Sequence, residues 1–288
     1  MLAVYTREIK CFFSNFTGYI TIAFFLLFAG IFITVSNLFV GSSAIEASYA
    51  NTVLVYLFAI PILTMKTMSE EKRAGTDILL RSLPLRTTDY ILGKYFAVVT
   101  MIFIPTAIIF SYTLILSFYG SINLISAIYG TLALFLCGCA LAAIGLFISS
   151  LTSSMVTSAI LCFGAMLLIY FMPAITMLLP TTAIGALVTF TILILLVGIL
   201  VHKMSASHSC SFAFVFVSEL ILLAVYFLKS EWLEGSVRKL FATLSVTNRI
   251  EPFTLSAILD ISALLYFITV AFVFVFFTVQ SAEKARLG

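Results

Sequence analysis

The chain has 288 residues, of which 62% are hydrophobic and only 9% are charged. Soluble domains carry roughly a quarter charged residues, so this composition excludes a soluble globular protein and predicts an integral membrane protein. The formal net charge is only +3, which gives no reason to expect a nucleic-acid partner. Apolar runs close to the length of about twenty residues that a helix needs to cross a bilayer predict α-helical spans and not barrel strands.

The chain begins with a segment that alternates apolar and charged side chains at helical spacing. Arg7, Glu8 and Lys10 interrupt apolar positions over residues 2–16, and we predict that residues 1–16 form an amphipathic helix in the membrane interface. Eight apolar runs follow, at residues 17–40, 51–65, 94–119, 124–149, 154–178, 182–201, 212–228 and 258–280. The three runs between residues 154 and 228 are the weakest, which leaves the count at six to eight spans. The predicted fold is an all-α, polytopic helical bundle with a single transmembrane domain over residues 1–288.

Basic residues are distributed unevenly between the two sides of this predicted bundle. Placing both termini and residues 66–94 in the cytoplasm puts eleven Lys and Arg inside and four outside, as the positive-inside rule favours. Residues 229–259 then form the one sizeable extracytoplasmic loop, where apolar positions from Val237 to Leu244 recur at helical spacing. We therefore expect a multi-pass protein of the plasma membrane, in particular of a bacterial inner membrane.

Residues 66–94 are the long polar interruption in the first half of the chain. Gly75 can end a helix that arrives from the preceding run, because glycine readily adopts a left-handed backbone. Thr76 can cap the N-terminus of the next helix, and Asp77 places a carboxylate in its first turn, where the helix dipole favours negative charge.

This next helix is short and has one apolar side. It covers residues 78–82, and Pro84 stops it. Either Thr88 or Asp89 can cap a further helix that enters the third apolar run. The side chains that form the apolar side are Leu79, Leu80 and Leu83. Because charged residues flank this apolar side, we expect it to bind a partner protein.

A carboxylate, Glu219, lies inside the apolar run at 212–228. A charge at membrane depth costs a few kcal/mol unless it is paired, protonated or in contact with water. Glu219 is therefore the intramembrane candidate for the transport pathway, and the alternative is a hydrogen-bonded packing residue.

The sequence contains no nucleotide-binding loop, nucleophile elbow or zinc-protease motif, so no enzymatic site is expected in this chain. The residues that come nearest to a metal site lie in the loop between the sixth and seventh runs: His202, Met204, His208 and Cys210. Their spacing matches no established ligand pattern, and an ordinary polar turn is the favoured interpretation. Small residues on the fourth run, Gly138 and Ala142 among them, indicate close packing between helices.

The polar segment also resembles a known family. The run SEEKRAGTDILLRSLPLRTTDYILGKYFAV is similar to the segment between the second and third spans of ABC type-2 transporter permeases. The shared features are Glu70, Glu71 and Lys72, then Gly75 and Thr76, a Leu-rich turn, Pro84, and residues 91–95 entering a span. The opening residues and the last apolar run extend the resemblance, the latter toward permease subunits akin to those of gliding motility.

This resemblance implies a permease that carries no cofactor of its own and works with a separate ATPase subunit, which would bind ATP and Mg²⁺. A second permease subunit would complete the transporter, as a homodimer or a heterodimer, and export is the expected direction. The resemblance makes the short helix at residues 78–82 the coupling helix. It thereby assigns ATPase coupling to Glu70, Glu71, Gly75, Thr76, Asp77, Leu79, Leu80, Leu83 and Pro84. A stand-alone proton-coupled carrier that uses Glu219 is the alternative, and the few polar residues in the spans favour a lipid or hydrophobic peptide as substrate.

Overall fold

A computed structural model describes residues 1–41, 45–75, 86–118, 123–205, 208–228, 230–255 and 260–287. Helix accounts for 88% of the structure, and the described residues contain no strand. The predicted all-α helical bundle is therefore confirmed.

The described helices follow one another with short connections. They are α1 Leu2–Ser14, α2 Thr17–Ile33, α3 Glu46–Thr64, α4 Ser69–Ala74, α5 Thr87–Ser117, α6 Leu124–Leu151, α7 Met155–Tyr170, α8 Met172–Leu178, α9 Ala183–Ser205, α10 His208–Leu228, α11 Ser236–Leu244, α12 Val246–Leu255 and α13 Ile261–Leu287. A single π-helical turn, Thr34–Leu38, extends α2.

Several of these helices can cross a membrane. The described residues contain five long apolar spans: Thr17–Leu38, Ser48–Ala74, Thr87–Ser117, Leu124–Leu151 and Ile261–Lys284. A sixth span results if α7 and α8, which are broken at Phe171, cross together. The runs predicted at 182–201 and 212–228 contribute shorter apolar stretches, Ala183–Leu195 and Val215–Ala224, among the described residues. The chain is a multi-pass membrane protein.

The chain divides into two compact units, Met1–Tyr170 with Arg249–Gly288, and Phe171–Asn248. The first unit is built around α6, which packs against α3, α5, α7 and α13. Glycines of α6 allow neighbouring helices to approach closely. A Cβ added at Gly138 would lie 2.8 Å from Tyr56 Oη, and one added at Gly145 would lie 2.6 Å from Thr64 Oγ1. The close packing predicted from the small residues of the fourth run is therefore confirmed.

Hydrogen bonds between buried side chains fix the register of these helices. Tyr56 Oη donates to the carbonyl oxygen of Leu134 at 2.9 Å, which ties α3 to α6. Tyr49 Oη lies 2.8 Å from Thr113 Oγ1 on α5 and accepts a bond from Thr131 Oγ1 on α6 at 3.0 Å. The hydroxyls of both buried tyrosines thus have partners, as a dry interior favours.

The second unit contains α8 to α11. Leu233 and Val237 are buried against Ala186 of α9, and Phe241 packs beside them. Arg238 donates from its guanidinium to the carbonyl oxygens of Thr176, Met177 and Leu179 at 3.1–3.3 Å, which satisfies backbone acceptors at the C-terminal end of α8. The helix predicted within residues 229–259 is confirmed as α11, whereas α12 was not predicted.

Two helix boundaries differ from those that the sequence predicts. Helix α5 begins at Thr87 with Arg86 in the N-cap position, so neither Thr88 nor Asp89 is the cap, and Asp89 lies in the first turn. Helix α6 continues to Leu151, beyond the end of the apolar run at 124–149. Both differences are close to the one or two residues by which helix ends ordinarily vary.

Candidate functional site: a buried charge cluster beside the polar segment

Helix α1 packs directly on the first turns of α5. A Cβ added at Gly93 would lie 3.0 Å from Val4 Cβ, so the absence of a side chain at Gly93 lets α1 approach the backbone of α5. Tyr5 Oη is 3.1 Å from Thr100 Oγ1, and Phe12 is buried on the same face of α1 as Val4. This packing places the charged residues of α1 beside the N-terminal turns of α5.

Lys94 is the most deeply buried charge of this region, with only 1% of its surface exposed. Its Nζ lies 2.9 Å from Glu71 Oε2 and 3.3 Å from Glu8 Oε1, and it donates a hydrogen bond to the carbonyl oxygen of Thr67. A buried ammonium needs such partners, because an unpaired charge in a dry interior is strongly unfavourable. One side chain of α5 therefore connects α1, α4 and the turn that precedes α4.

A second cation completes the cluster. Arg7 donates to Glu8 Oε1 at 2.7 Å and also to Glu71, so each carboxylate contacts two cations. Partial burial by itself would lower the pKa of Arg7, but the hydrogen bond and charge of Glu8 and the charge of Glu71 raise it above its ordinary value. Two cations and two carboxylates balance, which makes the cluster electrically neutral.

Tyr90 closes the cluster on the side of α5. Its hydroxyl donates to Glu71 Oε2, and its ring lies 5.1 Å from Nζ of Lys94. Glu71 thus accepts from Tyr90, Arg7 and Lys94 at once. We refer to Arg7, Glu8, Glu71, Tyr90 and Lys94 as the charge cluster.

Helix α4, which carries Glu71, is also attached to the C-terminal end of α6. Ser149 Oγ accepts hydrogen bonds from the backbone N–H groups of Met68 and Ser69 at 3.2 and 3.3 Å. Lys72 donates to the carbonyl oxygen of Ser150. Ser149 therefore satisfies backbone donors at the start of α4, and the carbonyl of Ser150 binds the side chain of Lys72.

An apolar layer lies next to the charge cluster. Met68, Ile91, Leu146 and Val279 are all buried and bring together the turn before α4 with α5, α6 and α13. Because these side chains come from four different segments, a movement of α4 would be transmitted to three spans through close packing.

The residues predicted to couple to an ATPase fall into two groups. Glu71 belongs to the charge cluster, whereas Glu70 is exposed on the same helix. Gly75 ends α4 with φ of +67°, the left-handed conformation predicted for it. The others lie outside the described residues: Thr76, Asp77, Leu79, Leu80, Leu83 and Pro84.

The sequence also contained a signal for the part of the cluster that was not predicted. Lys94 is the first residue of the third apolar run and has apolar neighbours on both sides, and an ionisable residue in that position favours a partner. Arg7 and Glu8 were interpreted only as the polar side of an interfacial helix. The pairing of Glu8 with Lys94, and of Arg7 with Glu71, depends on α1 packing against α5, which no local pattern encodes.

Glu219 makes a different kind of contact, within the second unit. Its Oε2 accepts a hydrogen bond from Thr191 Oγ1 of α9 at 3.3 Å. Its Oε1 is buried, and among the described residues it has no hydrogen-bond partner. The carboxylate therefore retains one unsatisfied acceptor at the α9–α10 contact.

The candidate metal ligands lie at the end of α9 and the start of α10. The side chains of His202, Met204, His208 and Cys210 lie outside the described part of the structure, although α9 continues to Ser205 and α10 begins at His208. The connection between these helices is therefore shorter than the loop expected from the sequence. Within the described residues, no three His, Cys, Asp or Glu side chains form a group that could hold a metal ion.

No protein-family model and no curated protein matches the chain. Its function must therefore be argued from the residues and their geometry.

Proposed function

We propose that the chain is the permease subunit of an ATP-binding cassette transporter, and that residues 66–94 receive a separate ATPase subunit. The supporting observation is the burial of Lys94 between Glu8 and Glu71, at the base of the segment that resembles the coupling region of type-2 permeases. A polar segment that served only as a connector would have no need to be anchored by a cluster of four charges in which Glu8 and Lys94 are buried.

Helix α4 is attached firmly enough to transmit a force to the spans. The turn before α4 and α4 itself are attached to α1 and α5 through the charge cluster, and to α6 through Ser149. A push that reaches α4 from closing ATPase subunits would therefore be transmitted to the spans through these contacts. In this proposal the cluster transmits the movement, and the ATPase supplies the chemical step.

The proposal also includes an orientation of the chain in the membrane. Both termini and residues 66–94 face the cytoplasm of a bacterial inner membrane, because that orientation puts eleven of the fifteen basic residues inside. A second permease subunit completes the path, and the direction is export. Labelling of Lys72→Cys only after the membrane is permeabilised supports this orientation, and labelling in intact cells contradicts it.

A substitution on the apolar side predicted for residues 78–82 tests the coupling. Leu79→Asp places a charge in the joint with the ATPase, so substrate-stimulated ATP hydrolysis by the reconstituted complex should fall at least tenfold. Leu240→Asp is the matched control, since Leu240 is 40% exposed on α11, on the opposite side of the membrane in this orientation. Full stimulated hydrolysis by the Leu79→Asp complex would show that coupling occurs elsewhere.

One observation favours a second candidate function, a proton-coupled carrier. Glu219 Oε1 is buried without a hydrogen bond from any described residue, and such an acceptor can take up a proton during transport. In that case Glu219→Gln abolishes transport driven by a pH gradient at normal expression, whereas Glu234→Gln, at an exposed acidic position of the same unit, does not. Unimpaired transport by Glu219→Gln protein removes this candidate.

A further inference from the structure

An open cleft lies between the C-terminal half of α1 and the chain that follows α3. The cleft is open on one side, and the residues that line it include Glu8, Cys11, Asn15, Thr17, Lys66 and Glu70. Thr17 is the first residue of α2, and Lys66 follows Thr64, the last residue of α3. Because Thr17 begins the first span, the cleft lies where that span enters the membrane, at the depth of the lipid headgroups.

The charged groups in this cleft have unused hydrogen-bonding capacity. Glu8 is 8% exposed, and its ion pairs to Arg7 and Lys94 both use Oε1. Within the described ranges no hydrogen bond or ion pair reaches Oε2 of Glu8 or the carboxylate of Glu70. Lys66 makes a single contact, 3.5 Å from Nζ to the hydroxyl of Thr17. The cleft thus offers two negatively charged carboxylates that can accept hydrogen bonds and one positively charged ammonium that can donate them.

The pKa of the Cys11 thiol is affected by the charged groups around the cleft. Burial raises its pKa, and the negative charges of Glu8 and Glu70 raise it further, against weaker opposing effects of Arg7 and Lys94. Glu8 and Glu70 therefore both lie near the same part of the cleft, where their carboxylates can together receive a positively charged group of a ligand.

We propose that this cleft binds the headgroup of a phosphatidylethanolamine-type lipid, with the ammonium between Glu8 and Glu70 and the phosphate at Lys66. A primary ammonium has three N–H donors to offer the two carboxylates, whereas the quaternary ammonium of a choline headgroup has none. An anionic headgroup without an amine would bring its charge to two carboxylates and only one lysine. The site does not depend on an ATPase partner.

The binding can be measured through protection of Cys11, which is exposed and lines the cleft. The full chain is reconstituted in vesicles of phosphatidylcholine alone or of equal parts phosphatidylcholine and phosphatidylethanolamine, and treated with N-ethylmaleimide. The alkylation rate of the Cys11 peptide is read by mass spectrometry. Phosphatidylethanolamine should slow the reaction about tenfold, the effect expected for loss of access when charge-assisted hydrogen bonds form.

Variants of the cleft make the test specific. Each is compared with itself in the two kinds of vesicle, because Glu70→Gln also changes the intrinsic reactivity of Cys11. Glu70→Gln and Lys66→Gln should lose most of the protection, and Glu283→Gln on α13, outside the cleft, should retain it. The proposal is overturned if phosphatidylethanolamine gives no protection, or if vesicles with phosphatidylglycerol protect equally. Equal protection by soluble glycerophosphoethanolamine would also overturn it, because the ligand would then be a solute and not a lipid.

Discussion

At the scale of single residues, Lys94 is the residue on which the charge cluster depends. Its ammonium is shared by two carboxylates and a carbonyl oxygen, and no solvent reaches it in appreciable amount. Removing one partner of a buried ion pair costs more than the pair itself contributes, because the remaining charge stays buried. The neutrality of the cluster is therefore more important to the fold than any one of its contacts.

Lys94→Met should accordingly destabilise the protein by about 3–5 kcal/mol in its free energy of unfolding, measured by denaturant titration in detergent micelles. The apolar stem of methionine retains much of the packing, so the loss reports on the charge. Lys239→Met at an exposed position of α11 is the control and should change stability by less than about 0.5 kcal/mol. Adding Glu71→Gln to Lys94→Met should recover part of the loss, and a Lys94→Met protein as stable as the wild type would contradict the role given to the cluster.

The raised pKa of Cys11 gives a prediction for pH. Burial, Glu8 and Glu70 disfavour the thiolate, so alkylation of Cys11 should be slower at neutral pH than that of an unperturbed thiol, and should accelerate only as the pH rises through the raised pKa. Glu70→Gln removes one of the negative charges and should move this acceleration to lower pH. A pH profile identical in Glu70→Gln and wild-type protein, measured in phosphatidylcholine vesicles, would show that Glu70 does not act on the thiol.

At the scale of elements, α4 is the short helix that connects the cluster to the segment proposed to bind the ATPase. It has six residues, which is too few for independent stability, so its caps and contacts hold it in place. Ser149 satisfies the backbone at its start, and Gly75 ends it with a left-handed backbone.

Gly75→Val should therefore destabilise the end of α4 by about 1–2 kcal/mol, because a β-branched residue is disfavoured at φ of +67°. Gly75→Asn should be tolerated, since asparagine adopts this conformation more readily than other non-glycine residues. Hydrogen exchange of the α4 amides is the measurement, and equal exchange in the Val and Asn variants would exclude a conformational role for Gly75.

The contact between α3 and α6 gives a second prediction for an element. Gly138→Ala pushes a methyl group against Tyr56 Oη, whose hydroxyl is already bonded to Leu134, and against Ile102, so it should cost about 1–3 kcal/mol. Gly164→Ala on α7 has nothing within 4 Å of the new methyl group and should be neutral or slightly stabilising. Thermal melts of the two variants in the same detergent compare them directly, and Gly138→Ala should melt at the lower temperature. The reverse order would contradict the close approach at Gly138.

At the scale of the whole molecule, the sequence predicted those features that depend on neighbouring residues in the chain. Apolar runs predicted the long spans, Gly75 predicted the end of α4, and the small residues around Gly138 predicted close packing. The charge cluster could not be predicted in full, since Glu8 and Lys94 are far apart in the chain and meet only after α1 packs at Gly93. The start of α5 and the end of α6 differ from the sequence prediction by close to the one or two residues by which helix ends ordinarily vary.

The composition of the intact assembly tests the central proposal most directly. The tagged chain, expressed in its own host and extracted in a mild detergent, should give a native mass spectrum of a complex that contains permease and nucleotide-binding subunits. The same preparation should hydrolyse ATP, and vanadate should inhibit it. A homogeneous preparation of this chain alone, without an ATPase subunit and active in transport driven by a pH gradient, would contradict the proposal.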